Sequence, residues 1–569
     1  MKYFKIKING KEVKVKQGQT VLEVARENGI NIPALCYHPD LKIKANCRLC
    51  IVEIKGKKGV HTSCSTHVEP DMEIITDSDV IKGIRKTNLE LIASEHKEEC
   101  GDCIKQFDCT ILKLSKECDV ELNRFEDRKK NKKSLKFGPS VEFDASKCID
   151  CRNCIEVCNK QSVGFFELQE KNGMKEVVPT KDKDHDCIYC GQCILHCPVG
   201  AIEAMGEFKE VEEPLQQKDK TVVFQFAPSI RTSIGEEFGM DYGEVVTDHI
   251  VGAIKALGVK HVFDTSVGAD FTTYEEAKEY VEKLESGCLP CISSCCPSWV
   301  KFIEFNYPEF IPHIATTRSP QIILGGLIKT YWAEKMKIDP KNIVVVSVMP
   351  CTAKKYEIRR KENKVRGMNP VDQVLTTREL AFLLKHHKID LKKIKPVSAD
   401  NPLGVSSGAG VIYGASGGVA ESVLRTACSL AGNKNPKIDF EEVRGMEEIK
   451  VAKVNICGKS VKMAVINGIG AARRVLEEMK KDPCKYDGLE VMACPGGCVG
   501  GGGQPIPTTA EIRKKRAESL YSIDKKKKLR TAHENPIVKE IYEKYLTDEK
   551  KIKEVCHTSY RKKKREVKI

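Results

Sequence analysis

The sequence predicts a chain of several domains, in which small cysteine-rich α+β domains precede a large α/β domain with mostly parallel sheets. Closely spaced cysteine groups lie within residues 36–197, between short helical and alternating segments. From about residue 215, apolar strand-like runs alternate with helical segments, as expected where helices connect parallel strands. A chain of 569 residues is also too long for one hydrophobic core.

The α/β domain is predicted over residues 215–569. Several of its strand-like runs end in unusual sequences, and sites in open α/β sheets gather at the carboxyl ends of strands. We therefore expect the ends at Ala227-Pro228-Ser229, Met349-Pro350-Cys351 and Met492-Ala493-Cys494 to meet. The tail after Gln504 is polar and helical over 537–546, which predicts a surface brace. The predicted strands are Thr221–Ala227, His261–Phe263, Ile343–Val348, Val461–Ile466 and Leu489–Ala493.

A glycine-rich stretch, Leu489–Gln504, carries the cysteines Cys494 and Cys498. Glycine lets the backbone approach a bulky group closely and adopt positive φ angles. Two other cysteine sites, Cys295-Cys296 and Cys351, complete a possible four-cysteine cradle from distant parts of the chain. Such a cradle suits a metal–sulfur cluster better than a packed core.

Three motifs carry a family resemblance: Ser-Cys-Cys-Pro-x-Trp at 294–299, Met-Pro-Cys-x-x-Lys at 349–354, and Glu-x-Met-Ala-Cys-x-Gly-Gly-Cys-x-x-Gly-Gly-Gly-Gln-Pro at 490–505. In this order they resemble the signatures of the FeFe-hydrogenases. The resemblance implies reversible interconversion of hydrogen with protons and electrons at an H-cluster, a 4Fe-4S cluster joined to a di-iron subsite with carbonyl, cyanide and dithiolate ligands. Ser294 and Ser298 replace the usual Thr and Gly, and both are small enough to be tolerated.

The resemblance also implies roles for residues of the site. Cys296, Cys351, Cys494 and Cys498 would ligate the 4Fe-4S cluster, and Cys498 would bridge to the di-iron unit. Lys354 would offer an ammonium to one cyanide, and Ser229 with the backbone near Pro228 would face the other. Five further residues match positions that line the pocket in the family. Without the resemblance, ordinary core packing would explain several of them. These positions are Gln321, Met349, Tyr413, Gly414 and Met492.

A proton relay is required because heterolytic splitting of hydrogen releases a proton. The resemblance assigns Cys295 as the thiol beside the open iron, followed by Glu276 and then Glu279. The two glutamates lie three apart in the helical run Tyr274–Leu284 and hence on one face, although a solvated face would carry the same pattern. The family usually has Ser between them, where the alignment places Ala315; either water substitutes or the alignment slips by one residue.

Residues 1–80 predict a hairpin, Phe4–Ile8 and Val13–Lys16 around Asn9-Gly10, followed by a Thr20-capped helix over Val21–Asn28. With the four cysteines that follow, this order resembles a plant-type ferredoxin, or β-grasp, domain with a 2Fe-2S cluster. Their spacing departs from the usual plant-type pattern but is similar to the N-terminal domain of FeFe-hydrogenases and to a subunit of respiratory NADH dehydrogenases. A four-cysteine zinc site is the alternative. The proposed ligands are Cys36, Cys47, Cys50 and Cys64.

Residues 81–125 predict a helix over Asp79–Ser94 that leads into one histidine and three cysteines. The spacing alone does not distinguish structural zinc from iron–sulfur, and the resemblance implies a 4Fe-4S cluster with one His and three Cys ligands. Cys118 fits no motif and is interpreted as a small apolar filler. The proposed ligands are His96, Cys100, Cys103 and Cys109.

Residues 138–210 contain an internal duplication, C-x2-C-x2-C-x3-C, typical of bacterial two-cluster ferredoxins. In that arrangement the fourth cysteine of each copy ligates the other cluster. One 4Fe-4S cluster is therefore assigned to Cys148, Cys151, Cys154 and Cys197, and the other to Cys187, Cys190, Cys193 and Cys158. Together the assignments give one 2Fe-2S cluster and three accessory 4Fe-4S clusters.

Composition narrows the function classes. Hydrophobic content is 41%, and no apolar run approaches the ~18 residues of a membrane span. The N-terminus is interpreted as a strand rather than a signal peptide, which favours the cytoplasm and metal-ligating cysteines over disulfides. The net charge of +14 does not indicate nucleic-acid binding, because both signs are mixed throughout. A positive surface could instead attract an acidic electron carrier such as ferredoxin.

Two questions about partners and function stay open in the sequence. Pro495 stands where single-subunit enzymes usually have His, which favours an electron-bifurcating, NAD(P)-linked complex with separate flavin and NAD(P)-binding subunits. Maturation proteins would insert the di-iron unit. A hydrogen sensor usually lacks the thiol of Cys295, and an electron-transfer subunit of NADH-dehydrogenase type has no reason to keep the motifs at 349–354 and 490–505. Cys288 and Cys291 have no assigned role.

Overall fold

The computed structural model describes residues 3–96, 101, 103–107, 109–121, 124–127, 129, 131–171, 174–287, 290–433, 437–456 and 458–568. The N-terminal domain is a sheet of order β2-β1-β5-β3-β4 with α1 packed in its core. The predicted hairpin is confirmed, and Thr20 begins α1 through a capping box with Glu23. The elements are β1 Tyr3–Ile8, β2 Lys11–Lys16, α1 Val21–Glu27, β3 Ile51–Ile54, β4 Val60–Thr62 and β5 Glu73–Ile75.

Two helices link this domain to the duplicated cysteine region, where short strands frame the cysteine loops. The sheet order here is β10-β7-β6, and β8 pairs with β9 in a separate antiparallel hairpin. The predicted helix over 79–94 is confirmed as α2. The elements are α2 Asp79–Ala93, α3 Thr110–Glu117, β6 Ser134–Phe137, β7 Val141–Asp144, α4 Asn153–Lys160, β8 Phe166–Lys171, β9 Met174–Pro179, α5 Gln192–Leu195, β10 Ile202–Ala204 and α6 Phe208–Gln216.

The first sheet of the large domain is parallel throughout, with the order β12-β11-β14-β15. Buried Val, Ile and Phe side chains of β11 and β14 face both sides, as expected for a parallel sheet covered by helices. The elements up to this point are β11 Thr221–Phe226, α7 Thr247–Ala256, β12 His261–Asp264, α8 Thr265–Ser286, β13 Cys291–Ile292, α9 Pro297–Asn306, α10 Pro320–Leu327, α11 Ala333–Met336, β14 Ile343–Met349, α12 Ala353–Glu357, β15 Gln373–Thr376 and α13 Thr377–His386.

The second sheet has the order β13-β18-β17-β16, in which only the β16–β17 pair is antiparallel. Asn467-Gly468 forms a strand–turn–helix joint between β17 and α16. The α/β prediction with mostly parallel sheets is confirmed, although β13, β15 and β16 are too short or too polar to have been predicted. The remaining elements are α14 Gly408–Ile412, α15 Gly418–Leu430, β16 Ile449–Ile456, β17 Lys459–Asn467, α16 Ile469–Lys481, β18 Gly488–Met492, α17 Ala510–Lys526, α18 Pro536–Lys544 and α19 Glu549–Cys556.

The tail after Gln504 is more than the predicted surface brace. Its helices α18 and α19 contact α8, and Ile537, Ile541 and Cys556 belong to the main hydrophobic core. The prediction was wrong because the apolar stripe of a short, lysine-rich helix is hard to separate from its polar face. Among the described residues, no helix is both long and apolar enough to cross a membrane.

Candidate active site

The carboxyl ends of strands from both sheets meet at one cavity of about 70 Å³ that is lined mostly by buried residues. This volume is several times the ~10–15 Å³ that a single water requires. Pro228 and Ser229 follow β11, Cys351 follows β14, and Cys494 follows β18. The expectation that these three strand ends meet is therefore confirmed.

The four cysteines of the predicted cradle all line this cavity. Cys296 lies at the start of α9, Cys351 precedes α12, and Cys494 and Cys498 lie in the glycine-rich loop. None of the four is in a disulfide. Three remote segments thus bring four free thiols to the lining of one cavity.

Glycines make this convergence possible. A Cβ at Gly501 would lie 2.2 Å from the carbonyl oxygen of Pro350, and one at Gly497 would lie 2.7 Å from the backbone nitrogen of Ser416. Gly497 also has a φ of +88°, which favours glycine. A side chain at Gly501 would push the two cysteine loops apart, and one at Gly497 would clash with the backbone at Ala415 and Ser416.

Several polar atoms face the cavity without a hydrogen-bond partner among the described residues. They are Ser229 Oγ, Thr265 Oγ1 and Gln321 Oε1, and all three side chains are almost fully buried. Buried polar groups nearly always have a hydrogen-bond partner, so unpaired polar atoms around one cavity indicate that the cavity binds a polar ligand. An otherwise apolar cavity with four thiols and a few hydroxyl and amide groups fits a metal–sulfur cluster with small polar ligands.

Lys354 supplies the one ammonium group among the residues that line the cavity. Its Nζ donates to the carbonyl oxygen of Cys295 at 3.1 Å and to Glu357 Oε2 at 2.9 Å. Burial lowers the pKa of Lys354, but the carboxylate of Glu357 outweighs burial and raises it above its ordinary value. The lysine is therefore charged at neutral pH.

The other predicted pocket residues also line the cavity. Tyr413 accepts a 2.8 Å hydrogen bond from Thr273 Oγ1, and burial raises the pKa of its phenol well above the ordinary value. The predicted pocket residues give the cavity a mostly apolar wall. The predicted residues found there are Pro228, Ser229, Gln321, Met349, Tyr413, Gly414 and Met492.

The predicted relay begins inside the cavity and continues along α8. Cys295 lines the cavity, and burial raises the pKa of its thiol well above the ordinary value. Glu276 is 5% exposed, and burial, followed by the charges of Glu279 and Glu490, raises its pKa to about 8. Its Oε2 has no hydrogen-bond partner among the described residues. The buried position of Glu276 rules out the solvated-face alternative for that residue.

Ala315 is not the residue that faces Glu279. The hydroxyl of Thr316 donates to Glu279 Oε1, and the Thr316 backbone nitrogen donates to Glu279 Oε2 at 2.9 Å. A hydroxyl beside Glu279 is therefore present at position 316, although position 315 has none. Sequence reasoning missed Thr316 because no pattern in the neighbouring residues shows which side chain of this segment faces Glu279.

The cysteines of the duplicated region fall into the two predicted sets. Cys148, Cys151, Cys154 and Cys197 line a separate cavity of about 20 Å³. Burial raises the pKa values of Cys187, Cys190 and Cys193, and the nearby thiol of Cys158 contributes to all three, so Cys158 lies with the second set. Thus each fourth cysteine lies with the opposite group of three, as predicted.

The second set lies next to the large cavity. Burial raises the pKa of Cys190 to about 12, and Cys351 and Cys296 contribute further. In the N-terminal domain, the Cys47 backbone nitrogen donates to Cys36 Sγ at 3.4 Å, and Cys50 and Cys64 lie as a second close pair. The cysteines of the second set, and those of the N-terminal domain, are therefore neighbours in space.

The predicted histidine-containing site lies only partly within the described residues. His96 Nδ1 lies 2.8 Å from the carbonyl oxygen of Lys147, and because a carbonyl only accepts, Nδ1 carries the proton. Metal-ligating histidines commonly use the second nitrogen in this way. Burial raises the pKa of Cys103, and Cys109 lies close enough to contribute, whereas Cys100 lies outside the described residues.

The cysteines without an assigned ligand role are scattered. Cys118 packs at the edge of a hydrophobic cluster, consistent with a filler, and Cys291 is buried at β13, where Lys283 Nζ lies 3.9 Å from its sulfur. Cys428 and Cys556 are buried, and Cys484 is exposed. Cys288 and Cys457 lie outside the described residues.

Sequence reasoning missed Thr265, which lines the cavity, and Glu357, which contacts two of the lining side chains from outside it. Thr265 is the first residue of α8, and its hydroxyl faces the cavity. Glu357 Oε2 accepts hydrogen bonds from Lys354, Gln321 and Ser319, so it sets the positions of two predicted pocket side chains. Glu357 lies three residues after Lys354 on one helix, and this spacing was the only signal that could have found it.

A cavity that is lined by four cysteines and preceded in the chain by ferredoxin-like domains is characteristic of an iron–sulfur oxidoreductase. The chain matches the families described as "Iron only hydrogenase large subunit, C-terminal domain" over residues 220–502, "2Fe-2S iron-sulfur cluster binding domain" over 2–79, "4Fe-4S dicluster domain" over 147–201 and "Iron hydrogenase small subunit" over 510–563.

The full length of the chain is similar to known hydrogenases. It is 39% identical to the NADP-reducing hydrogenase subunit HndD of Solidesulfovibrio fructosivorans, over 99% of this chain and 100% of that protein. It is 37% identical to iron hydrogenase 1 of Clostridium pasteurianum, over 98% and 99%. A solved variant of the [FeFe]-hydrogenase HydA1 from Chlamydomonas reinhardtii matches with a TM-score of 0.56 and 36% identity, over 63% of this chain and 99% of that one.

The chain belongs to the FeFe-hydrogenases, enzymes that interconvert hydrogen with protons and electrons and relay the electrons through iron–sulfur clusters. The family resemblance and the order of domains predicted from the sequence are confirmed. The prediction of iron–sulfur domains of both the 2Fe-2S and the 4Fe-4S type is also confirmed.

Proposed function

We propose that Cys296, Cys351, Cys494 and Cys498 hold the 4Fe-4S part of the H-cluster, with Cys498 also bridging to the di-iron subsite. This proposal rests on one observation. All four cysteines line a single buried cavity, together with Lys354 and the polar atoms that have no hydrogen-bond partner among the described residues. When bound, the cluster supplies the metal centre at which hydrogen and protons interconvert. The chain supplies the thiolates, the polar contacts and the exclusion of water.

The polar side chains of the cavity would hold the small ligands of the di-iron unit. The charged Lys354 would donate to one cyanide, and Ser229 with the backbone at Pro228 would face the other. Gln321 and Thr265 offer further unpaired oxygens. Met349, Met492 and Tyr413 would complete a dry wall, in which each polar contact is stronger than it would be in water.

Protons would move through side chains of this chain alone. Cys295 exchanges a proton at the cavity, Glu276 accepts or returns it, and Glu279 with the Thr316 hydroxyl continues the path outward. The support is the burial of Glu276, its raised pKa and the pair of hydrogen bonds between Thr316 and Glu279. A carboxyl with a pKa near the working pH is suited to this role.

Electrons would travel through four accessory clusters. The second 4Fe-4S site of the duplicated region, which includes Cys190, would be the last before the cavity, because Cys190 influences Cys351 and Cys296. The first 4Fe-4S site, the site that includes His96, and the 2Fe-2S site of the N-terminal domain would lie further out. This gives one 2Fe-2S cluster and three accessory 4Fe-4S clusters.

The electron partner would be an NAD(P)-linked complex that also uses ferredoxin. Two features support this choice: Pro495 in the third motif, and 39% identity over the full length to a subunit named for NADP reduction. Separate subunits would bind flavin and NAD(P), and maturation proteins would install the di-iron unit. The many free cysteines favour a reducing compartment, and we place the enzyme in the cytoplasm.

Infrared spectroscopy of the anaerobically matured protein tests the cluster assignment. Cys498→Ala should lose the carbonyl and cyanide bands while the accessory clusters keep their electron paramagnetic resonance signals. Cys295→Ser should retain the bands while turnover collapses. Bands retained in Cys498→Ala would refute the bridging assignment, and normal turnover in Cys295→Ser would remove Cys295 from the relay.

Assays with separate and combined electron carriers test the partner assignment. Hydrogen production by the chain with its partner subunits is measured with reduced ferredoxin, with NADH or NADPH, and with both together. An NAD(P)-linked bifurcating enzyme should need both carriers. Full activity with ferredoxin alone would point to a stand-alone enzyme.

A further inference from the structure

His557 lies just outside the proposed relay, at the point where the C-terminal tail crosses α8. It follows α19 and forms an isolated antiparallel bridge with Thr317. Its side chain is 18% exposed, so one part of the ring reaches solvent while the rest lies against the protein. No motif in the sequence pointed to it.

The two ring nitrogens contact different groups. Nδ1 lies 2.8 Å from Thr316 Oγ1 and 3.4 Å from Glu279 Oε1. Nε2 lies 3.1 Å from Glu275 Oε2. One side of the ring therefore faces the outer end of the relay, and the other side faces a carboxylate outside it.

Glu275 is held in place by more than the histidine. Lys278 Nζ lies 2.9 Å from its Oε1, and the Tyr542 hydroxyl from α18 donates to the same oxygen. Burial raises the pKa of Glu275, but His557, Lys278 and Tyr542 outweigh burial and lower it to about 2. Glu275 is therefore a fixed anion that orients the ring, and it does not exchange protons near neutral pH.

We propose that His557 is the outermost side chain of the proton relay and carries protons between solvent and the Thr316–Glu279 pair. The inference rests on the relay of Cys295, Glu276 and Glu279 described above. A proton leaves Nδ1 for Glu279, directly or through the Thr316 hydroxyl, and the ring regains a proton from solvent. The reverse sequence carries protons outward, and in both directions no electrons move and each proton lost is replaced.

The groups around the ring support this role. The ionisable side chains that face His557 are Glu275 and Glu279 of α8, with Lys278 and Tyr542 one contact away, and the buried thiol of the preceding Cys556. Burial lowers the pKa of His557, but hydrogen bonds and charge from the two glutamates outweigh it and raise the pKa to about 9. The ring is thus protonated at neutral pH and ready to donate.

The main test compares variants that separate proton transfer from anchoring of the tail. His557→Gln keeps the size and much of the hydrogen bonding of the side chain but cannot titrate. Thr558→Val is the matched control, because its hydroxyl donates to Glu362 O at 3.2 Å and holds the same segment, while the backbone bond from Thr558 to Thr316 is kept in the variant. All variants are matured anaerobically as the full chain, and their infrared bands are recorded first.

We expect His557→Gln to reduce turnover roughly tenfold or more, in line with the loss of one proton-transfer group, with unchanged infrared bands. Thr558→Val should stay within about twofold of the wild type. Added imidazole should restore His557→Ala several-fold and leave Thr558→Val unaffected. Turnover of His557→Gln within twofold of the wild type, or a loss in His557→Ala that imidazole does not restore, would overturn the proposal.

A second readout does not depend on the loaded enzyme. In the full chain without the di-iron unit, selectively ¹³C-labelled histidine should give one resonance that titrates near pH 9 and is absent in His557→Gln. Glu279→Gln should move that midpoint downward. A His557 resonance that titrates at its ordinary value would contradict the proposed site. Because Cys295→Ser tests the inner relay independently, failure of His557 alone would leave the proposed function standing.

Discussion

Gly502 of the catalytic loop lies directly against the backbone of Cys190, and a Cβ at Gly502 would lie 2.5 Å from the Cys190 carbonyl oxygen. Two further contacts fix the same junction: Gln192 Nε2 donates to the Gly500 carbonyl at 2.9 Å, and Thr352 Oγ1 donates to the Tyr189 carbonyl at 2.6 Å. At Gly502 the ferredoxin-like domain and the glycine-rich loop therefore meet backbone to backbone, and the side chains of Gln192 and Thr352 add hydrogen bonds to this junction.

Gly502→Ala should disturb this junction specifically. A methyl group cannot fit 2.5 Å from a carbonyl oxygen, so the two segments must separate. We expect hydrogen production driven through the accessory clusters to fall several-fold, while the infrared bands of the H-cluster persist. The measurement is turnover with ferredoxin as electron donor.

The matched control for this prediction is Gly83→Ala on α2. A Cβ there meets nothing within 4 Å, and alanine is the better helix former by about 1 kcal/mol. Gly83→Ala should therefore preserve both turnover and stability. Equal turnover in Gly502→Ala and the wild type would show that the close contact does not matter for electron transfer.

The sequence predicted the parts of the site that lie in motifs and missed the parts that depend on packing. Cys351 and Lys354 belong to one short segment, and the residue types in that segment are enough to indicate its chemistry. Thr316 contacts Glu279 across 37 residues of chain, and His557 joins them because the tail returns to this point 241 residues after Thr316. Such contacts have no local pattern, so sequence periodicity cannot reveal them.

The same limit applies to the fold. Strands β11 and β14 are continuous apolar runs, and both were predicted closely. Strand β16 alternates exposed and buried residues at the edge of its sheet, and β13 is only two residues long. Their pairing is decided by β17 and β18, which means that the tertiary structure, rather than the local sequence, defines them.

The pH dependence of turnover should report the ionisation of Glu276. Its pKa of about 8 means that the carboxyl is mainly protonated at pH 7 and ionises as the pH rises through 8. Proton delivery for hydrogen production needs the protonated form and should fall above about pH 8. Hydrogen oxidation needs the ionised form as an acceptor and should rise toward that pH.

Glu276→Gln and Glu276→Asp distinguish this explanation from other causes of the profile. Gln cannot titrate and should reduce turnover by roughly 10²-fold or more, whereas Asp should retain part of the activity with a shifted midpoint. The measurement is turnover in both directions from pH 6 to 10 with cluster content checked by infrared. A profile of Glu276→Gln that matches the wild type would exclude Glu276 from proton transfer.

Lys301 should stabilise the contact between the ferredoxin-like and catalytic domains. Its Nζ lies 2.6 Å from Asp186 Oδ2 and 2.7 Å from Glu566 Oε2, and the lysine is 1% exposed. Lys301→Met would leave Asp186 without its cation in a buried setting. Breaking a buried pair in this way typically costs about 3–5 kcal/mol.

The measurement for Lys301→Met is the midpoint of chemical denaturation together with limited proteolysis at the domain junction. Lys553→Met is the control, because Lys553 pairs with Glu549 at 3.1 Å on an exposed helix, where such pairs contribute about 0.3–0.5 kcal/mol. Lys301→Met should denature earlier than Lys553→Met. Coincident midpoints would show that Asp186 finds another partner.

Glu357 should act on the H-cluster through Lys354. Its Oε2 accepts from Lys354 Nζ at 2.9 Å and from Gln321 Nε2 at 2.6 Å, so one carboxylate oxygen positions two side chains that face the cavity. Glu357→Gln removes the charge that keeps the pKa of Lys354 raised against burial. We expect shifted cyanide bands in the infrared and turnover reduced about tenfold.

A double-variant comparison decides whether Glu357 works through the lysine. If it does, Lys354→Met with Glu357→Gln should be no worse than Lys354→Met alone, because residues that act as one unit are not additive. Glu362→Gln on the same segment, which pairs with Arg561 at 3.3 Å instead, should leave the cyanide bands unchanged. Additive losses in the double variant would mean that Glu357 affects the cavity by another route, such as Gln321 or the packing of Ser319.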